Sequence, residues 1–376
     1  VNAHGTGTAA NDAAETRAIQ ATLGAPWVSS SKSFLGHAQG AAGVLELIVT
    51  IMGLERQRLP PTMGFSRPRP RCVTDPVAGC TPRPHSFRHA LSLSAAFGGA
   101  NAAILVSQQR SDEPRRDRRE VHVSGAALVG PAGATLTDLG PLPLSGQAPP
   151  VAIERVVRGT DPRGVDELTM LLAAAVAGAL EAAGIGRSAR RQVGLFVGQT
   201  RISAEAKQQL DESIEQRGLA RLSAPAFAKM VLNAAAGAVT RMLDLRGPVT
   251  AVTTGVSSGL AATVLAADYL AHHRDTDTIV VAGVSERDVT SGACALVLTT
   301  AASEPWARAL EWTFAPPTGG GELHAANVAS DSAGLSGVLA CALAADRVRH
   351  GTPRLWAIDT RGLCQAGVLF AAEESA

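Results

Sequence analysis

Two histidines and a lysine carry the strongest chemical signal in this sequence. His4 stands in His4-Gly-Thr-Gly-Thr8, and Lys32 and His37 stand in Lys32-Ser33-Phe34-Leu35-Gly36-His37. The motifs lie about thirty residues apart, both carry glycines, and no cysteine stands near them at a metal-ligand spacing. Glycines beside a polar residue let the backbone approach a ligand closely and hold an imidazole in one orientation. A pair of imidazoles fixed in this way suits stabilisation of a developing oxyanion or enolate. His4 and His37 would act as neutral N–H donors, because burial disfavours the charged ring. Lys32, five residues before His37, would hold a nearby carboxylate or fix the geometry. The residues therefore read as acyl chemistry: a malonyl thioester that loses carbon dioxide leaves an enolate, whose oxygen needs fixed donors.

The elements that must position these groups are legible in outline. Asp12 to Leu23 has helical spacing with a polar first turn. Gly40 to Leu54 reads as a second helix, small and apolar on nearly every face and therefore expected to be buried. Arg56 to His89 is rich in proline and arginine and reads as irregular surface chain. Leu91 to Val106 gives two apolar runs around Phe97-Gly98-Gly99-Ala100-Asn101, a strand pair with a glycine turn. Gln108 to Glu120 is charged and poor in apolar residues, the composition of a linker. After it, strands are expected at Val121–Val129, Gln192–Gly198, Val249–Thr254, Thr278–Gly283 and Ala293–Thr299. Helices are expected at Leu168–Ala183, Pro225–Leu245 and Val256–Ala271. Such alternation implies a layered α/β architecture.

Bulk properties narrow the function classes. The chain has 376 residues, 46% of them apolar, enough for two or three domains. A net charge of +1 implies neither a nucleic acid nor an anionic membrane as partner. No apolar run reaches the roughly 18 residues of a bilayer span. No basic-then-apolar leader precedes the first motif, so a cytoplasmic protein is expected. Five cysteines without framework spacing fit reduced thiols, and no metal site is expected. Lysine occurs only at positions 32, 207 and 229, so Lys32 stands out in an arginine-biased chain. The sequence opens at Val1 within an apparent strand and reads as a fragment.

Self-comparison divides the chain further. Gly43-Val44-Leu45 recurs as Gly337-Val338-Leu339, and Ala102–Val106 is matched by Ala366–Phe370. At those offsets Lys32 falls opposite Ala326, His37 opposite Asp331 and Phe97 opposite Arg361. The second unit thus repeats the scaffold of the first without its chemistry.

The two motifs together resemble those of β-ketoacyl synthases, the decarboxylating condensing enzymes of fatty-acid and polyketide biosynthesis. The resemblance implies a thiolase-like αβαβα fold. Residues 1–107 would be the C-terminal part of a synthase, 108–120 a linker, and 121–376 a shortened copy similar to a chain-length factor. It further implies that His4 and His37 are the condensing histidines, with Lys32 the accompanying lysine. Glu15 matches the acid that pairs near that lysine, with Asp12 beside it, and Phe97 matches the gate over the nucleophile. The nucleophile is a cysteine at a strand-to-helix turn, where a helix N-terminus lowers the thiol pKa. Ala251-Val-Thr-Thr-Gly-Val256-Ser-Ser-Gly-Leu260 looks like that turn, with Val256 in the cysteine's place. Partners implied are acyl carrier protein, malonyl and acyl thioesters, and a second synthase fold in a homo- or heterodimer. Substrates would arrive on phosphopantetheine, with no cofactor. Three readings follow: a truncated acyltransferase fused to a silent partner; a pseudoenzyme that binds acyl chains or carrier protein; or a permuted domain able only to decarboxylate malonyl thioesters.

Overall fold

A computed structural model describes residues 1–73, 76–109, 117–131, 136, 146–151, 165–286, 290–301, 305–313, 322–324, 333–359 and 366–372. The chain forms two compact units, Val1–Arg115 and Arg116–Ala376.

In the first unit, helices α1 (Ala9–Leu23), α2 (Lys32–Leu35) and α3 (Ala42–Arg56) precede two short paired strands, β1 (Arg58–Leu59) and β2 (Arg83–Pro84). An antiparallel pair follows, β3 (His89–Ala95) and β4 (Asn101–Ser107), joined through a 3-10 turn at Phe97–Gly99. The first residues join this framework as a bridge: Asn2 pairs with both Ser92 and Ser29, which delivers His4 to the end of the sheet. A small core of Ala3, Ile19 and Val28 lies beneath. The segment expected to be irregular thus holds a short strand pair.

Helix α3 corrects the expectation of a buried, apolar helix. Its buried residues include Glu46 and Thr50, whereas Val44 and Ile48 are 63% and 46% exposed. Polar groups one turn apart face inward because each has a partner there: Glu46 pairs with Lys32, and the Asn2 amide donates to Thr50 Oγ1 at 3.2 Å and to the Glu46 carbonyl at 2.9 Å.

The second unit is a mixed sheet. Its strands are β5 (Val121–Val129), β6 (Gly194–Gly198), β7 (Val249–Val252), β8 (Thr278–Ser285), β9 (Gly292–Thr299), β10 (Ala307–Thr313), β11 (Glu322–His324), β12 (Arg354–Asp359) and β13 (Ala366–Ala371). They lie in the order β11-β12-β13-β10-β5-β9-β8-β6-β7. Side chains alternate across a strand, and here both faces are covered. Ile279, Val281, Cys294, Leu296 and Leu298 enter one core, while Val280, Ala282, Ala293, Ala295 and Val297 enter the other. Helices α4 (Glu167–Ala182) and α7 (Ala234–Leu243) cover the second core. Helices α8 (Ser258–His272) and α9 (Ala333–Arg349) cover the first. Between α4 and α7 come α5 (Ala204–Arg217), which the sequence reading left out, and α6 (Ala224–Lys229). Side-chain caps from Asp166, Ser203 and Ser223 start α4, α5 and α6.

The single helix expected over Pro225–Leu245 is broken between α6 and α7. The Gln199 side-chain amide binds the Leu232 carbonyl, drawing it away from a helical ladder. Helix α8 crosses β6 and α9 at backbone contact. A Cβ on Gly198 would lie 2.4 Å from Gly259 Cα, and one on Gly337 would lie 2.4 Å from the Leu260 nitrogen. Only glycine permits such approach. In each unit a helix leads to an antiparallel strand pair, α3 to β3-β4 and α9 to β12-β13. Positions 326, 331 and 361, set opposite Lys32, His37 and Phe97, lie outside the described residues, as do residues 110–116 of the expected linker.

Candidate active site

The His4-Gly-Thr-Gly turn is built from glycine geometry and two carboxylates. Gly5 and Gly7 take φ of +45° and +74°. A Cβ on Gly5 would fall 2.4 Å from Ser30 Oγ, so no larger residue fits that crossing. Glu15, two turns into α1, accepts the His4 and Gly5 amides on separate oxygens at 2.7 and 2.9 Å. Asp12 Oδ1 accepts the Gly7 amide at 3.2 Å. Both acids thus hold the backbone that carries His4, as carboxylates accepting exposed amide donors do.

Lys32 opens α2 and is buried. Its ammonium pairs with Glu46 of α3, whose side chain is 2% exposed, and also reaches His4 Nδ1 at 3.2 Å. This corrects the assignment of Glu15 as the acid near the lysine: Glu46 holds that place, and Glu15 is occupied by two amides. Glu46 is visible in the sequence as an acid inside Ala42–Arg56, set in the apolar stretch that precedes the charged last turn, with Thr50 four residues on. Asn2 was not anticipated either. Its Oδ1 accepts the Ser31 amide at 3.1 Å, which ties the N-terminal segment to the base of α2.

The rings of His4 and His37 lie 5.7 Å apart, nearly perpendicular. Lys32 can only donate, so His4 Nδ1 accepts, and the neutral ring carries its proton on Nε2. The Gln39 amide donates to His37 Nδ1 at 3.2 Å, which fixes the same tautomer there. Burial, the Lys32 charge and His37 lower the His4 pKa to about 4, with Asp12 opposing. At neutral pH two Nε2–H donors are therefore available from neighbouring rings. A cleft of about 900 Å³ opens over this region, lined by His37, Lys32, Gly5, Thr6, Asp12 and Glu15 among others. Phe97 does not line it; the residue sits at the tip of the β3–β4 turn, 52% exposed.

In the second unit the turn bearing Val256 leads directly from a strand into a helix, β7 to α8. Gly255 takes φ of +76°, the Thr254 amide donates to Ser258 Oγ at 3.0 Å, and α8 starts at Ser258. Val256 is half-buried between them. Cys294 and Cys341 are fully buried, and burial pushes both thiols up, that of Cys341 to about 12. Cys364 lies outside the described residues. Among the described residues, no group of three or more His, Cys, Asp or Glu is placed to hold a metal ion, and no helix is long and apolar enough to cross a membrane.

Residues 1–66 match the family described as beta-ketoacyl synthase, C-terminal domain, and residues 152–307 match beta-ketoacyl synthase, N-terminal domain. A putative polyketide beta-ketoacyl synthase 1 of Streptomyces cyaneus is 42% identical over 111 residues, 28% of this chain and 26% of the relative. A 3-oxoacyl-[acyl-carrier-protein] synthase 2 of Mycobacterium tuberculosis is 47% identical over 110 residues, 29% of this chain and 26% of the relative. The chain thus spans about a quarter of the length of these curated relatives. Among solved structures, the PfaC keto synthase-chain length factor aligns over the whole chain and 57% of its own length, with TM-score 0.67 and 14% identity. The AntDE:AntF complex of a type II polyketide acyl-carrier protein with its ketosynthase matches 68% of this chain and 100% of its own, with TM-score 0.57 and 13% identity. The layered α/β fold expected from the sequence is the thiolase-like fold of these ketosynthases.

Proposed function

The chain belongs to the β-ketoacyl synthase family, and from that premise we propose that its first unit is the histidine-bearing part of a condensing acyltransferase, with a nucleophile-free partner as its second unit. The observation that carries this reading is the His4–His37 pair, 5.7 Å apart with both Nδ1 atoms already engaged. Two Nε2–H groups then face the thioester oxygen of a malonyl group delivered on acyl carrier protein. Loss of carbon dioxide leaves its electron pair as an enolate on that thioester, and the two donors stabilise the oxygen. The enolate carbon attacks an acyl group held on a cysteine thioester; the tetrahedral oxyanion collapses and expels the thiolate. That cysteine is supplied by an N-terminal synthase half. Val256 has no acidic hydrogen, so the second unit forms no thioester and serves as a chain-length-factor-like partner.

Intact mass after incubation with an acyl-carrier-protein thioester tests the partner assignment. No acyl adduct is expected on this chain, and a stable one would overturn the assignment. The order of the two family matches, C-terminal before N-terminal, also favours a permuted domain that only decarboxylates malonyl thioesters. Release of carbon dioxide from malonyl carrier protein by this chain alone, abolished in His37→Ala, selects the permuted reading. Condensation that starts only when the reading frame upstream of Val1 is included selects the fusion.

A further inference from the structure

Resting on the proposed acyl-thioester chemistry, we infer that Arg67 is the receptor for the phosphate of the pantetheine arm that carries the substrate. Arg67 belongs to an alternating run, Arg67-Pro68-Arg69-Pro70-Arg71, which neither the fold nor the histidine chemistry explains. Both Arg67 and Arg69 line the cleft that His37 and Lys32 share. Arg69 is the anchor: its guanidinium binds the Gly7 carbonyl and lies 3.5 Å from Asp12. Those contacts fasten the loop to the turn that presents His4. Prolines on either side of Arg69 lock φ and restrict the residues before them. Fixing Arg69 therefore fixes Arg67 two residues away, at the exposed rim of the cleft.

Charge balance leaves Arg67 available. Among the described residues, the carboxylates lining the cleft are in use, Glu15 by the His4 and Gly5 amides and Asp12 by Gly7 and Arg69. Among the described residues Arg67 makes no hydrogen bond or ion pair of its own. A guanidinium is a planar fork that matches phosphate oxygens in pairs. The thioester of an extended arm must reach His4 and His37, so the phosphate at the arm's other end lies towards the rim, where Arg67 stands. The same phosphopantetheine chemistry occurs on a carrier protein and in coenzyme A.

The test titrates the full chain with three non-hydrolysable amide analogues: malonyl-pantetheine, malonyl-phosphopantetheine and malonyl-coenzyme A. Affinity is read by calorimetry, and the ring resonances of His4 and His37 report occupancy of the cleft. The phosphate should tighten binding about fivefold, the scale of an exposed ion pair. Arg67→Gln should erase that gain and leave the pantetheine analogue unaffected. Arg17→Gln, an equal loss of charge on α1 away from the cleft, should preserve the gain. Equal affinity with and without phosphate, or a gain that survives Arg67→Gln, overturns the assignment while the histidine reading stands. Absence of any shift at His4 and His37 with all three probes overturns both. A coenzyme A analogue that binds severalfold tighter than phosphopantetheine, with the phosphate gain still lost in Arg67→Gln, supports Arg67 and names coenzyme A as the source.

Discussion

Removal of one partner from the Lys32–Glu46 pair should damage the first unit far more than removal of both. The side chains are 5% and 2% exposed, so neither ion can regain water when the other is lost. Breaking a buried pair typically costs 3–5 kcal/mol, whereas exchanging both ions for apolar groups of similar size is often neutral. Glu46 Oε2 has no hydrogen-bond partner among the described residues, which leaves part of its desolvation uncompensated and favours the double exchange. Against this, the double variant loses the contact from Lys32 to His4 Nδ1, about 1 kcal/mol. Lys32→Met and Glu46→Leu alone should therefore each destabilise by roughly 3–5 kcal/mol, and together by about 1 kcal/mol. Hydrogen exchange of the Ala42–Arg56 amides in the intact chain measures these opening free energies. With Lys32→Met/Glu46→Leu, the His4 pKa should climb from about 4 part of the way towards 6.5, since burial persists while the ammonium does not. A double variant whose cost equals the sum of the single costs would refute the reasoning.

Acid should weaken the first unit before the bulk of its carboxylates titrate. His4 has a folded pKa of about 4 against an ordinary 6.5, so the unfolded chain takes up the proton first, and stability present above pH 6.5 is lost between 6.5 and 4. The full displacement is worth about 3 kcal/mol, of which solvent screening leaves about 1–2 kcal/mol. His4→Phe should flatten that part of a pH series of hydrogen exchange. Gly198→Ala should cost the second unit about 3 kcal/mol in chemical denaturation, because the added methyl meets backbone that cannot yield. In native alkylation followed by intact mass, Cys80 should react while Cys294 and Cys341 stay unmodified. Val256→Cys should add a fast-reacting thiol, its pKa lowered by the N-terminus of the Ser258–His272 helix.

The sequence made the second unit's alternation plain, because strands buried on both faces read as short apolar runs between turn signals. Val121–Val129 and the sheet strand near residue 280 follow directly from that pattern. The break at residues 230–233 did not show, since it depends on a carbonyl captured by Gln199 from another element. Helix α3 was misjudged for a related reason: composition records that it is apolar, while its inward stripe is set by Asn2 and Lys32, which are distant in sequence. At the site, His4, Lys32 and His37 were legible through their glycine settings. The partner of Lys32 was not, because Glu15 and Glu46 are both plausible acids until backbone amides claim the first.

The crowded crossing behind residue 256 has a consequence of its own. With Gly198, Gly259 and Gly337 locking strand and helices in van der Waals contact, the loop in front is braced from the rear and has no need of a reactive group to hold its shape. Outline and reagent are therefore separable here: the bend keeps its form whatever side chain stands at position 256, and an exchange there alters reactivity without rebuilding the crossing.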